Sequence, residues 1–343
     1  MGVAVGGLIE GKEVNLEYFS NKTIAIDAYN TLYQFLTTIR GADGTPLKDK
    51  QGKVTSHLVG LFGRSTSLMQ LGIKTVYVFD GKPPALKQRT IEMRRKIKEE
   101  AERKLKEATE QQLVGDMRKY ASMTTRLDKD MVAEAKQLLS YLGLPYIEAP
   151  SEGEAQAAHM VKKGDAYAVG SQDFDALING TDRLVRNLSI AGKRKIANTF
   201  SYEQLKPELI ELSEVLNTLG IDRNQLIVLA LLVGTDYNPG GIKGIGPKTA
   251  LKMLKTYGSN FDKIFEEAKW NDNFDFSWHE IYDLMNDMPV SDSYVLEWNR
   301  IDISRITSFL VDEHNFSEDR VTSTLSKLQK EDNKKNQRSL SDF

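Results

Sequence analysis

Seven acids stand where acids could do chemistry together: Asp27, Asp80, Glu152, Glu154, Asp173, Asp175 and Asp236. One aspartate after an apolar run commonly opens a turn or caps a helix, so each carries little alone. Asp27, Asp80, Asp173, Asp175 and Asp236 all follow such runs, and Asp173 and Asp175 would share a face of extended backbone. Glu152 and Glu154 have the same spacing, but Ser151-x-x-Glu154 also matches a capping box, which leaves a capping role open. Gathered at one sheet edge, these carboxylates would repel one another unless a cation compensated them. Oxygen donors without His or Cys suit Mg2+ or Mn2+ better than Zn2+. Two such ions about 4 Å apart can activate a water and stabilise a leaving oxygen in phosphodiester cleavage. The pattern predicts a nuclease or phosphatase.

Composition removes other chemistries. The chain has no cysteine, which excludes disulfides, thiolate zinc sites and a cysteine nucleophile. His57, His159, His279 and His314 lie far apart and form no HExxH pair, so they read as surface or packing residues. A net charge of −2 argues against a uniformly basic coat but is compatible with segregated charge. No apolar stretch approaches the ~20 residues of a bilayer span. Met1–Gly6 carries neither a basic leader region nor a lipidation signal, and a soluble protein is expected.

The acids need elements to position them. Thr23–Asp27 and Lys74–Asp80 read as buried strands, and a third candidate runs from Asp165 through Val169 towards Asp175. Helical patterns over 28–40, 55–71 and 129–142 fall between them, which predicts α/β layering around a largely parallel sheet. Ligands of such sheets sit beyond the carboxyl ends of the strands, where these acids fall. Residues 86–119 read as a helix with little apolar face, and 81–129 carries 14 Lys/Arg against 8 Asp/Glu. A solvated helix and a phosphate-contacting lid or arch both fit. Residues 203–232 read as helical, helices resume from 248 to about 328, and the polar tail 331–343 is expected to be flexible.

Gly240–Ala250 superficially matches a phosphate-binding P-loop, but Pro247 separates Gly246 from Lys248 and lacks the needed N–H. A helix-hairpin-helix turn fits better. Gly244 and Gly246 permit close approach, Pro247 suits the first helical position, and exposed amides with Lys243, Lys248 and Lys252 can meet a backbone phosphate. An ordinary tight turn is the alternative.

Taken in order, Ala25–Ala28, Val76–Pro84, Ala149–Ala157, Ser171–Asp175 and Gly244–Lys248 resemble the signature blocks of the flap endonuclease family, over roughly residues 1–330. The resemblance implies a PIN-like α/β fold: a single core with a mostly parallel sheet, a helical arch at about 81–130 and a helix-two-turn-helix at about 226–256. It implies that the seven acids hold two Mg2+ ions, with Mn2+ able to substitute, and that the acidic pair at 152 and 154 belongs to the site. Lys87 and Arg94 match active-site cations at the base of the arch, suited to charge developing on the scissile phosphate. Tyr33 matches a base-stacking aromatic, although core packing would explain a lone Tyr equally well. Arg40 matches a template-strand contact and Gly2 a mature N-terminus near the site. Gly244, Gly246, Lys243 and Lys248 match a duplex grip with a K+ ion.

In the tail, Gln337, Leu340 and Phe343 resemble the motif that docks on a sliding clamp, with one terminal aromatic where the usual form has two. The implied activity is 5′ flap endonuclease and 5′–3′ exonuclease action on branched DNA in Okazaki fragment maturation and base excision repair. A monomer is expected when alone, cytoplasmic and nucleoid-associated in an archaeon, or nuclear in a eukaryote. The alternatives are a related 5′ exonuclease or bubble/junction nuclease, a noncatalytic DNA- or clamp-binding protein, and a PIN-type ribonuclease.

Overall fold

The computed structural model describes residues 3–341 apart from 4, 42–43, 112–114, 117–118, 121–123, 189–192 and 196–201, without the side chains of 193–195, 202–204 and 331–341. The strands are β1 (Lys12–Glu13), β2 (Thr23–Asp27), β3 (Lys74–Phe79), β4 (Tyr146–Glu148), β5 (Ala168–Gly170), β6 (Arg183–Arg186), β7 (Lys193–Lys195), β8 (Tyr202–Gln204) and β9 (Glu208–Glu211). All but β7 and β8 join one sheet in the order β1-β9-β6-β5-β2-β3-β4. From β6 to β4 the strands are parallel, and β9 and β1 add an antiparallel edge.

Continuous apolar strands imply a sheet covered on both faces, and the packing bears this out. Ala25, Val76 and Val78 enter one core cluster with the helix Arg223–Val233. Their neighbours Ile24, Ile26, Tyr77 and Phe79 enter another, with helices α1 (Ala28–Thr38) and α2 (Ser56–Gln70) and the helix Lys129–Tyr141. Leu226–Leu232 are buried on every side, so this apolar run is a core helix. No single helix among the described residues is long and apolar enough to cross a membrane.

Register places the acids. Asp27 lies opposite Val78 of β3, and Ile26 opposite Gly170 of β5, so the carboxyl ends of the three central strands finish side by side. The basic segment after β3 forms α3 (Gln88–Glu110).

Two expectations change. Residues 203–211 are not helical: β8 and β9 precede the helices Leu212–Leu219 and Arg223–Val233. Pro207 disfavours helix in the residue before it, and Leu209 and Ile210 are buried in different core clusters, as a strand packed on both faces requires. Towards the other end, the helix Glu318–Ser341 runs on through 331–341, where the sequence predicts a flexible tail.

Candidate active site

Each acid reaches the carboxyl edge by a local device. Asp27 ends β2, is only 6% exposed, and caps α1 by accepting from the Asn30 amide at 3.0 Å. Asp80 follows β3, and its Oδ1 accepts the Gly153 N–H at 2.7 Å. A Cβ on Gly153 would lie 2.8 Å from that oxygen, so glycine lets the helix Gly153–Lys163 start directly against Asp80. Glu152 is the N-cap residue of this helix and Glu154 lies in its first turn, yet no side-chain capping bond forms. Glu154 Oε1 instead accepts from Ser171 Oγ at 2.8 Å, across at the end of β5. Of the two readings left open for this acid, the capping bond is not made.

Asp173 and Asp175 arrive differently from the expectation of a shared face on extended backbone. The chain bends after β5, Phe174 has helical backbone angles, and Asp175 begins the short helix Asp175–Ile178. Asp173 Oδ2 accepts from Asn30 Nδ2 at 2.8 Å, and Asp175 Oδ1 accepts from the Val3 amide at 2.8 Å. Asp236 follows the helix Arg223–Val233 and meets α3. Lys87 Nζ lies 2.5 Å from Glu152 Oε2 and 3.4 Å from Asp236 Oδ2, while Arg94 reaches Asp236 Oδ1 at 2.5 Å. Thr90 Oγ1 donates to the Asp236 carbonyl.

The electrostatics are those of acids short of positive charge. Burial, then the neighbouring Asp80, pushes Asp27 up to about 8. Burial likewise lifts Asp175 to about 7, against the hydrogen bond from Val3. It raises Asp80 and, with Asp175 nearby, takes Glu154 well above the carboxylate range. Glu152 is raised by burial despite Lys87. Burial works against the Lys87 charge, but Glu152 and Asp236 outweigh it and hold the ammonium protonated.

Two cations thus face seven acids, and oxygen donors dominate the edge, so the residues fit a hard divalent cation. Among the described residues no group of three or more Asp, Glu or His side chains is placed to hold a metal ion. Mg2+ retains several waters and binds through as few as one or two carboxylates, so it does not need such a group.

The remaining candidates divide. Tyr33 is 37% exposed, so core packing does not account for it, and Lys98 Nζ lies 5.4 Å over its ring. Arg40 is engaged locally, donating to the Thr37 and Gly44 carbonyls at 3.1 and 2.8 Å and to Thr125 Oγ1. Between the helices Arg223–Val233 and Pro247–Tyr257, a Cβ on Gly241 would fall 2.2 Å from the Val233 backbone, so glycine allows the loop to fold back on the helix end. Gly244 has φ +88°, and Gly246 caps the second helix without a side chain, leaving its first amides beside the exposed Lys243 and Lys248. Gly2 and Phe343, and the side chains of Gln337 and Leu340, lie outside the described residues. His57 and His314 are buried, and His159 and His279 lie nearer the surface.

Sequence reasoning missed Asn30, Ser171 and Thr90, which orient or tether Asp27, Asp173, Glu154 and the backbone of Asp236. Short polar residues in first turns are too common to stand out. The one available signal was that Asn30 lies three residues after an acid that ends a strand.

A parallel sheet with acids crowding its carboxyl edge and cations supplied by an inserted helix defines a PIN-like nuclease of the XPG class. The XPG N-terminal domain matches residues 6–101 and the XPG I-region residues 143–236. The chain is 54% identical over 332 residues to flap endonuclease 1 of Thermofilum pendens, covering 96% of this chain and 95% of that protein. It is 51% identical over 330 residues to flap endonuclease 1 of Pyrococcus furiosus, covering 96% and 95%. Flap endonuclease-1 from Methanococcus jannaschii superposes with a TM-score of 0.76 at 42% identity, covering 97% of this chain and 100% of that one. The catalytic core of Rad2 in complex with DNA substrate gives 0.68 at 26% identity, covering 94% and 97%. The chain belongs to the flap endonuclease family.

Proposed function

We propose that this protein is a structure-specific 5′ flap endonuclease that hydrolyses a DNA phosphodiester near the single-strand/duplex junction and depends on two Mg2+ ions, with Mn2+ able to substitute. The observation that carries this reading is the meeting of Lys87, immediately before basic α3, and Arg94, within it, with Glu152 and Asp236 at the acidic edge. When bound, Mg2+ supplies an activated water and neutralises charge on the leaving oxygen. Lys87 carries its proton as it exchanges Glu152 for a phosphate oxygen, and Arg94 offers a planar fork to a second. Asn30, Ser171 and the Gly153 amide keep Asp27, Asp173, Glu154 and Asp80 in orientation. The 234–246 turn grips duplex phosphates through backbone amides, Lys243 and Lys248, with K+ as its cation, and so selects shape over sequence.

Exposed Tyr33 stacks the terminal base, and the same site acting on a recessed 5′ end gives 5′–3′ exonuclease cleavage. Replication and repair, in an archaeal cytoplasm, are the setting that fits such a substrate. The test is to incubate labelled flap, gapped, nicked and single-stranded DNA with Mg2+ and map the products. Cleavage near the flap junction leaving a 5′-phosphate is expected; preference for single-stranded RNA, or no cleavage of any branched DNA, would overturn the reading.

Raised carboxyls make metal-free stability pH-dependent. Asp27 and Asp175 bind protons in the folded state that the unfolded chain releases near pH 4, so their contribution falls as pH rises from about 4 to about 8. Asp80, Glu152 and Glu154, raised by burial in the same direction, add to the trend, and groups remote from the site titrate alike with and without metal. Mg2+ added after EDTA treatment should therefore raise Tm more at about pH 8 than at about pH 5.5. Equal increments in calorimetry would contradict a metal role for these acids.

For the tail we propose clamp docking through Gln337, Leu340 and Phe343, by a monomeric enzyme. Deleting 337–343 should abolish clamp stimulation and leave unstimulated cleavage unchanged. An undiminished response to the clamp would refute it.

A further inference from the structure

At the site, the start of α3 and the residue just before it are held along one face. Lys87, Thr90 and Arg94, three and four residues apart, all reach Glu152 or Asp236. Contacts along a single stripe fix how far this end of the helix stands from its support more than its roll about the axis; farther along, Glu102 pairs with Arg126 at 2.7 Å and Ala101 and Ala108 are buried. Arg89 lies about 100° round the helix from Thr90, and it engages a different part of the molecule. Its guanidinium donates through Nη1 to Asp275 Oδ1 and, at 3.2 Å, through Nη2 to Asp275 Oδ2. The same group lies 5.0 Å over the Phe276 ring.

The partner is a firm ledge. Trp270, 2% exposed, donates its indole N–H to the Phe276 carbonyl at 2.7 Å and packs against Phe274 and Phe265 with ring centroids 4.4 and 5.2 Å apart. This ledge walls a 710 Å³ cavity whose rim adds Asp262, Glu266 and Glu280 to Asp275, with no Lys or Arg among the lining residues. Aromatic faces and carboxylates together favour a guanidinium, and α3 supplies one.

We propose that Arg89 is a positioning residue: its latch on Asp275 and Phe276 sets the roll of α3 and so aims Lys87 and Arg94 at the reacting phosphate. This rests on the flap-cleavage reading above. Both partners of the pair are largely exposed, 61% and 74%, so it adds little to global stability and its effect falls on geometry. Small misplacements of catalytic groups cost rate steeply, and about tenfold is expected here.

Single-turnover cleavage of a 5′ flap at saturating enzyme separates the possibilities. Arg89→Ala and Asp275→Ala should each slow cleavage about tenfold with flap affinity and Tm little changed, and the swapped double R89D/D275R should regain most of the rate. If Arg89 acted only by touching DNA, Asp275→Ala would cleave at least as fast as the parent and the swap would recover nothing; that outcome overturns the proposal, as would parental rates in both single variants. A second readout does not depend on activity. With spin labels at Glu99 and Asn271, the distance distribution should broaden in each single variant and narrow again in the double. An unchanged distribution refutes the latch, whereas a parent enzyme that cuts no flap, with the distribution behaving as stated, refutes only the cleavage reading.

Discussion

Asp80→Asn is expected to lower the single-turnover rate of flap cleavage by on the order of 10³-fold or more while flap binding changes less than about threefold. Asparagine retains an Oδ1 that can accept from the Gly153 amide, so the start of the helix Gly153–Lys163 keeps its anchor. What disappears is a negative charge that helps to raise Asp27 and is itself raised by burial and by the nearby Asp236. Loss of several kcal/mol of transition-state stabilisation corresponds to that rate factor at about 1.4 kcal/mol per tenfold. The same substitution relieves like-charge repulsion, so metal-free Tm should stay level or rise. Activity lost together with stability kept is the signature of a functional acid. An active Asp80→Asn enzyme would sink the metal assignment.

Lys87→Ala should slow chemistry by about 10²- to 10³-fold, the loss expected when a preorganised donor to a developing oxyanion is removed, with a much smaller effect on binding. Lys87 is largely sequestered between Glu152 and Asp236 in the free protein, which keeps its ammonium charged and in place. Arg94 still answers Asp236 in the variant, so the site does not lose all its positive charge. Lys87→Arg should recover part of the rate, because the charge returns with a different reach and fork geometry. Single-turnover rates at saturating enzyme, beside flap dissociation constants, separate the two effects. A variant weakened in binding alone would make Lys87 a substrate contact.

Legibility in the sequence followed how local each cause was. β2 and β3 could be read because β-branched apolar runs stop abruptly at Asp27 and Asp80, and a strand covered on both faces needs that pattern. α3 could be read because Lys, Arg, Glu and Ala, with no proline, favour helix whatever lies around them. β9 could not. Glu208–Glu211 is a strand because β6 and β1 pair with it from 22 or more residues away, a cause no local window contains.

The site divides along the same line. By itself the sequence singled out Asp27, Asp80, Asp173, Asp175 and Asp236, left Glu152 and Glu154 open, and offered an oxygen-only donor set, and hence a class of chemistry, because residue types carry charge and ligand preference wherever they lie. Resemblance to the flap endonuclease family added the acidic pair at 152 and 154, the cations Lys87 and Arg94, and the substrate. Only the tertiary structure decided that Glu154 leaves the capping position for Ser171 and that Asn30 ties Asp27 to Asp173. It alone set Lys87 between Glu152 and Asp236, and Arg89 on Asp275. Asn30 and Asp27 are three residues apart, but the other partners are 17 to 186 residues apart in the chain. Hydrogen bonds and ion pairs depend on distances of a few ångströms, and only packing of the sheet edge, α3 and the C-terminal helices brings such groups that close.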